Sequence, residues 1–117
     1  MQTWLIVIVV VIVATVMVLR GRGANPSTVR EKLSRGALVI DVRTPGEYGS
    51  GHYKGATNIP VSDLAARLSE IGDRQKPIVV YCASGARSAK AASILTAAGF
   101  RDVTNAGRLG NMDQYGP

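Results

Sequence analysis

A chain of 117 residues has room for one small domain and little else. Its single cysteine excludes an internal disulfide framework and a cysteine-based zinc site. With 14 Lys and Arg against 8 Asp and Glu the net charge is +6, which suits small anionic substrates or anionic lipid headgroups; the scattered basic residues with few interleaved aromatics argue against nucleic acid.

Residues 1–19, MQTWLIVIVVVIVATVMVL, hold no charged side chain, and Trp4 to Leu19 is apolar except for Thr15. As a helix that apolar run rises about 24 Å against a hydrocarbon core of ~30 Å, with Gln2, Thr3 and a snorkelling Arg20 extending it. The expectation is a single transmembrane anchor over 1–19, contacting the membrane through residues 4–19. Arg20 and Arg22 follow the span and nothing basic precedes it, which places the rest of the chain in the cytoplasm. The competing readings are export with signal-peptide cleavage and a buried core helix. The uncharged MQTW and the weak Gly21-x-Gly23 site speak against cleavage.

RGRGANPS reads as a Gly/Pro linker, assigned to 20–26, and the domain as 27–117. STVREKLSRG (27–36) predicts a short helix capped by Ser27 and closed by Gly36. ALVIDV (37–42) is a continuous apolar run suited to a strand buried on both faces. Residues 44–52 are turn-rich, and a short strand follows near Ala56 to Ile59. SDLAARLSEIG (62–72) aligns Leu64, Leu68 and Ile71 on one helical face, with Ser62 as cap. PIVVYC (77–82) predicts a second buried strand, RSAKAASILTAAG (87–99) a helix stopped at Gly99, and DVTNAG (102–107) a third, shorter strand. Such alternation implies an α/β fold, a mostly parallel sheet with helices on both faces. Ligands bind such sheets beyond the carboxyl ends of the strands. Asp41 to Arg43 and Cys82 fall at two of those ends.

The six residues Cys82-Ala83-Ser84-Gly85-Ala86-Arg87 join a buried strand to a helix. Small residues let the loop curl, and Gly85 permits a positive φ. A curled loop directs its amides inward, and the helix start adds positive potential. A sulfur at the centre of that cradle is favoured as thiolate and becomes a nucleophile. The bland alternative is a buried, inert cysteine.

VIDVR (39–43), GEYGSGHYKGATNIP (46–60), IVVYCASGARS (78–88) and AAGFRDVTNAG (97–107), in that order, resemble the single-domain rhodaneses, the thiosulfate sulfurtransferase-like domains. The resemblance implies a three-layer rhodanese fold behind the membrane helix. It implies a sulfurtransferase in which Cys82 attacks the sulfane sulfur of a small anionic donor such as thiosulfate and carries it as a persulfide to a thiol or cyanide acceptor. No metal or cofactor is called for. In that scheme the amides of Ala83, Ser84, Gly85, Ala86 and Arg87 form the cradle, and Arg87 either clamps the donor's oxyanion or braces the loop through a salt bridge. Asp41 and Arg43 support the neighbouring rim, where an Arg43–Glu47 ion pair is a structural alternative. His52, Tyr48 and Tyr53 read as structural and packing residues. Two departures stand out: Ala83 where several thiosulfate-using members carry a basic or polar residue, and a chain end, GRLGNMDQYGP, without the family's Gly-Gly and downstream Trp, which predicts a short or loosely docked last helix.

Related phosphatases use the same fold with one more residue between Cys and Arg. Here four residues separate Cys82 from Arg87, which favours attack on sulfur over phosphorus. The alternative from another class is a membrane-tethered persulfide carrier or interaction module with little small-molecule turnover.

Overall fold

The apolar runs become the centre of a parallel sheet. The computed structural model describes residues 2–116, with side chains at all of these except 17–22. Strands β1 (Leu38–Asp41), β2 (Thr57–Asn58), β3 (Ile78–Cys82) and β4 (Val103–Arg108) pair in the order β2-β1-β3-β4, every pairing parallel. All five residues of β3 are buried, because the strand has neighbours on both sides and helices on both faces. Side chains alternate between the faces. Ile78, Val80 and Cys82 join Ile40, Leu64, Leu95 and Phe100 in one core. Val79 and Tyr81 join Val29, Val39, Ala106 and Met112 in the other. Each fully buried aliphatic side chain contributes roughly 1.5–3 kcal/mol, so two thin cores suffice for one small domain.

The helices follow, with corrections. Helix α1 spans Gln2–Arg22. Its large apolar side chains from Trp4 to Val16 are all exposed, at 40–63%. Among the described residues no helix is long and apolar enough to cross a membrane, so the span expected at 1–19 is not supported. The described apolar side chains run from Trp4 to Val16, about 20 Å of helix against a hydrocarbon core of ~30 Å. The side chains of Arg20 and Arg22, used to orient that span, lie outside the described residues. The supposed linker is short and held in place. Ala24 donates its N–H to the Asn105 carbonyl at 2.7 Å along the outer edge of β4, and Gly23, at φ +71°, sits where a Cβ would strike the Ala106 carbonyl.

Helix α2 (Pro26–Ser34) is capped by Asn25, whose side chain accepts from the Ser27 amide at 2.9 Å, and not by Ser27; Pro26 takes the first helical position. Residues 44–52 contain a helix where only turns were expected. Helix α3 (Pro45–Gly49) forms behind a capping box between Thr44 and Glu47. The helix expected over 62–72 is broken into α4 (Val61–Leu64) and a 3-10 turn at Leu68–Glu70. Arg67 and Glu70 pair at 2.7 Å across that turn, where residues three apart eclipse. Helix α5 (Ala86–Ala97) runs close to its expected bounds and stops before Gly99, at φ +95°. The last helix, α6 (Leu109–Met112), is short as expected, but Met112 is fully buried, so the segment is firmly docked and not loose.

Candidate active site

Cys82 ends β3, and only Ala83, Ser84 and Gly85 separate it from α5. Gly85 lies at φ +97°, a left-handed turn that side chains disfavour. The turn points the Gly85 N–H at the Cys82 sulfur, 2.9 Å away. Ser88, one turn into α5, places its hydroxyl 3.4 Å from the same sulfur. That hydroxyl also lies 3.0 Å from the Gly85 carbonyl and 3.3 Å from the Gly107 carbonyl of β4. Both Cys82 and Ser88 are fully buried, while Ala83, Ser84 and Ala86 form an exposed lip.

Burial pushes the Cys82 thiol up. The Ser88 hydroxyl and the amides of Ser88, Gly85 and Ser84 together outweigh it and hold the thiol below its ordinary value. Of the amides the sequence offers as a cradle, those of Ser84 and Gly85 bear on the sulfur in this way. Ser88 escaped the sequence reading because a serine just inside a helix looks like any other helical residue.

Arg87 is turned toward Glu47 on α3, with Nη1 to Oε1 at 2.6 Å and Nη2 to Oε2 at 2.9 Å. This pair, backed by the Thr44 amide, drops the Glu47 carboxyl from 4.5 to about 2. The Arg43–Glu47 pair suggested by the sequence does not form. Arg43 instead folds back onto Asp41, with Nη2 to Oδ2 at 2.7 Å, and donates to the Gly51 carbonyl at 2.7 Å. The Tyr81 hydroxyl donates to Asp41 Oδ2 at 2.9 Å and accepts from the Tyr53 amide at 3.0 Å. Burial, with Asp41 beside it, pushes the Tyr81 phenol far up and keeps it a neutral donor. Asp41 and Arg43 thus form a sealed network beside β3. Asn58 extends it by donating to the carbonyls of Asp41 and Arg43 at 3.0 and 2.9 Å.

His52 stacks on Tyr48, centroids 3.7 Å apart and nearly parallel, and its Nδ1 lies 2.9 Å from the Tyr48 carbonyl. A carbonyl only accepts, so that nitrogen carries the proton. The ring is committed to this local contact. Among the described residues no group of three or more His, Cys, Asp or Glu is gathered as a metal site. The arrangement can therefore present a stabilised thiolate, flanked by amides, to a small electrophile.

A family model described as the rhodanese-like domain matches residues 25–106. The thiosulfate sulfurtransferase PspE of Escherichia coli (strain K12) is 39% identical over 71 residues, 60% of this chain and 68% of that protein. The uncharacterized protein YqhL of Bacillus subtilis (strain 168) is 44% identical over 71 residues, and the chain spans only 56% of its length. Among solved structures, one titled as a rhodanese with anions from E. coli superposes with a TM-score of 0.62 at 37% identity, covering 64% of this chain and 89% of the other.

Proposed function

This chain belongs to the rhodanese-like domain family, and we propose that it is a sulfurtransferase working through a persulfide on Cys82. The thiolate attacks the outer sulfur of a donor such as thiosulfate. A sulfur–sulfur bond forms to Cys82, the bond between the two donor sulfurs breaks, and its electron pair leaves on sulfite. A thiol or cyanide acceptor then attacks the outer persulfide sulfur and returns the thiolate. Sulfite needs no proton to depart, so no general base is required at the loop.

The observation that carries this reading is the Gly85 amide, 2.9 Å from the Cys82 sulfur in a loop turned at φ +97°. An amide so placed stabilises a sulfur anion before and after transfer. A relative supports the same chemistry, since PspE of Escherichia coli is a thiosulfate sulfurtransferase. Arg87, held by both oxygens of Glu47, serves as a brace for the loop more readily than as a clamp on the donor. The same engagement weighs against a phosphatase, which would need that guanidinium for phosphate.

The exposed apolar side chains of α1 favour a second element. The helix attaches the domain to an apolar surface such as a bilayer interface, with the domain on the cytoplasmic side, and a tethered persulfide carrier would exploit that placement. Retention of the full chain, but not residues 24–117, on vesicles would support the tether; equal release of both would remove it.

The test of sulfur transfer is intact mass before and after thiosulfate, beside Cys82→Ala. A gain of one sulfur atom, reversed by cyanide and absent in the variant, is expected. A folded chain that gains nothing from thiosulfate leaves the interaction module as the better reading.

A further inference from the structure

Strand β4 carries one residue too many for its neighbour. Val80 pairs with Asn105, yet the next residue of β3, Tyr81, pairs with Gly107, and Cys82 pairs with Arg108. Ala106 is the surplus residue of a bulge. Gly107 follows at φ +85°, with its amide donating to Asn105 Oδ1 at 2.9 Å and its carbonyl 3.3 Å from the Ser88 hydroxyl. The bulge is thus fixed from within β4 and from α5.

Its effect is a change of register. An even ladder would put Gly107 beside Cys82. The bulge instead sets Arg108 there, at the carboxyl end of the sheet. Residues paired in a parallel ladder lie about 4.8 Å apart and project to the same face, well within the reach of an arginine. A one-residue slip would turn that side chain away.

The charges at this rim separate by commitment. Arg43 is buried against Asp41. Arg87 is taken by both oxygens of Glu47, a carboxylate that stays ionised down to about pH 2. Arg108 is exposed, and among the described residues its side chain makes no hydrogen bond or ion pair. It is the uncommitted guanidinium closest in register to the nucleophile.

We propose that Arg108 binds the oxyanion end of the sulfur donor, a small sulfonate-type anion such as thiosulfate, and aims its outer sulfur at Cys82. The inference rests on the sulfur-transfer reading above. It assigns to two arginines the two roles between which the sequence left Arg87: Arg87 holds the loop shut, and Arg108 holds the anion. The two negative charges that meet during loading, thiolate and donor, require a cation free to face the donor, and a planar guanidinium matches paired oxygens. Arg108 is a positioning and binding residue in this scheme and takes no part in bond exchange.

The test measures sulfur loading of the full chain by intact mass across thiosulfate concentrations, for the wild type, Arg108→Ala, Arg108→Gln and Arg108→Lys. The expected result is half-saturation about tenfold higher or more in Arg108→Ala and Arg108→Gln, the scale of a lost charge-assisted contact. The limiting loading rate should change much less, and Arg108→Lys should recover most of the affinity. Wild-type half-saturation in both the Ala and Gln variants, or a fall confined to the limiting rate, would overturn the role of Arg108 while leaving sulfur transfer intact. A wild-type chain that takes up no sulfur would overturn the sulfur-transfer reading itself, and this inference with it.

Discussion

The guanidinium of Arg87 and the carboxylate of Glu47 meet fork to fork at 2.6 and 2.9 Å, joining α5 to α3 across 40 residues of sequence. Glu47 simultaneously accepts from the Thr44 amide at 3.1 Å, closing the capping box. A five-residue helix with two glycines has little stability of its own. It stands because one carboxylate caps it and ties it to the helix that follows Cys82.

That tie carries a pH signature. Arg87 first, and the Thr44 amide second, lower the folded Glu47 carboxyl from 4.5 to about 2. A depressed carboxyl stabilises the fold fully above about pH 4.5, and the contribution is lost as pH falls toward 2. Glu47→Gln should cost about 0.5–1 kcal/mol near neutrality, modest because solvent screens the half-exposed pair. It should also flatten the acid limb of the stability profile. Urea midpoints for both proteins between pH 2 and 6 would settle it; parallel profiles would contradict the assignment.

Ser88 should tune the thiol. Its hydroxyl is 3.4 Å from the sulfur and, after burial, weighs most heavily on the Cys82 thiol in the opposite sense. Removing one such bond, about 1 kcal/mol, should raise the midpoint of iodoacetamide alkylation in Ser88→Ala by about 0.7 of a pH unit. An unmoved midpoint, with the circular dichroism of the wild type, would leave the amides as the sole stabilisers.

Asp41→Asn tests the sealed network. Arg43 would remain buried with its charge unmatched, and the Tyr81 hydroxyl would lose an ionised acceptor. A loss of about 3–5 kcal/mol is expected, partly recovered when Arg43→Leu is added. A loss below about 1 kcal/mol in chemical denaturation would show that water reaches the pair.

Gly23→Ala should release the chain from the edge of β4. The residue lies at φ +71° against the Ala106 carbonyl, so a side chain there is excluded by conformation and by space. Hydrogen exchange at the Ala24 amide, bonded to Asn105 at 2.7 Å, should accelerate by tenfold or more, from strain of about 1–3 kcal/mol. Unchanged protection would mean that the edge re-forms around the methyl.

The central strands were legible because β1 and β3 are buried on both faces and therefore read as unbroken apolar runs. Helix α3 was not, because Pro45, Gly46 and Gly49 look like turn residues until Glu47 is seen closing its box with Thr44. The loop around Cys82 was legible as a local curl, with Gly85 at its turning point. Its partners were not. The choice of Asp41 by Arg43, and of Glu47 by Arg87, depends on which strand lies beside which. The position of Arg108 depends on a single surplus residue in β4 that no periodicity announces.

Cys82 is completely buried even though it ends a strand at the rim. On the sulfur-transfer reading, loading would set the reactive atom one bond further out than the sealed thiol. The two halves of the cycle would then face different gates. A slim reagent is needed to reach the empty cysteine, whereas a bulkier thiol would meet the cargo nearer the mouth. The walls that limit the donor would by the same token shelter the empty carrier from large oxidants and alkylators.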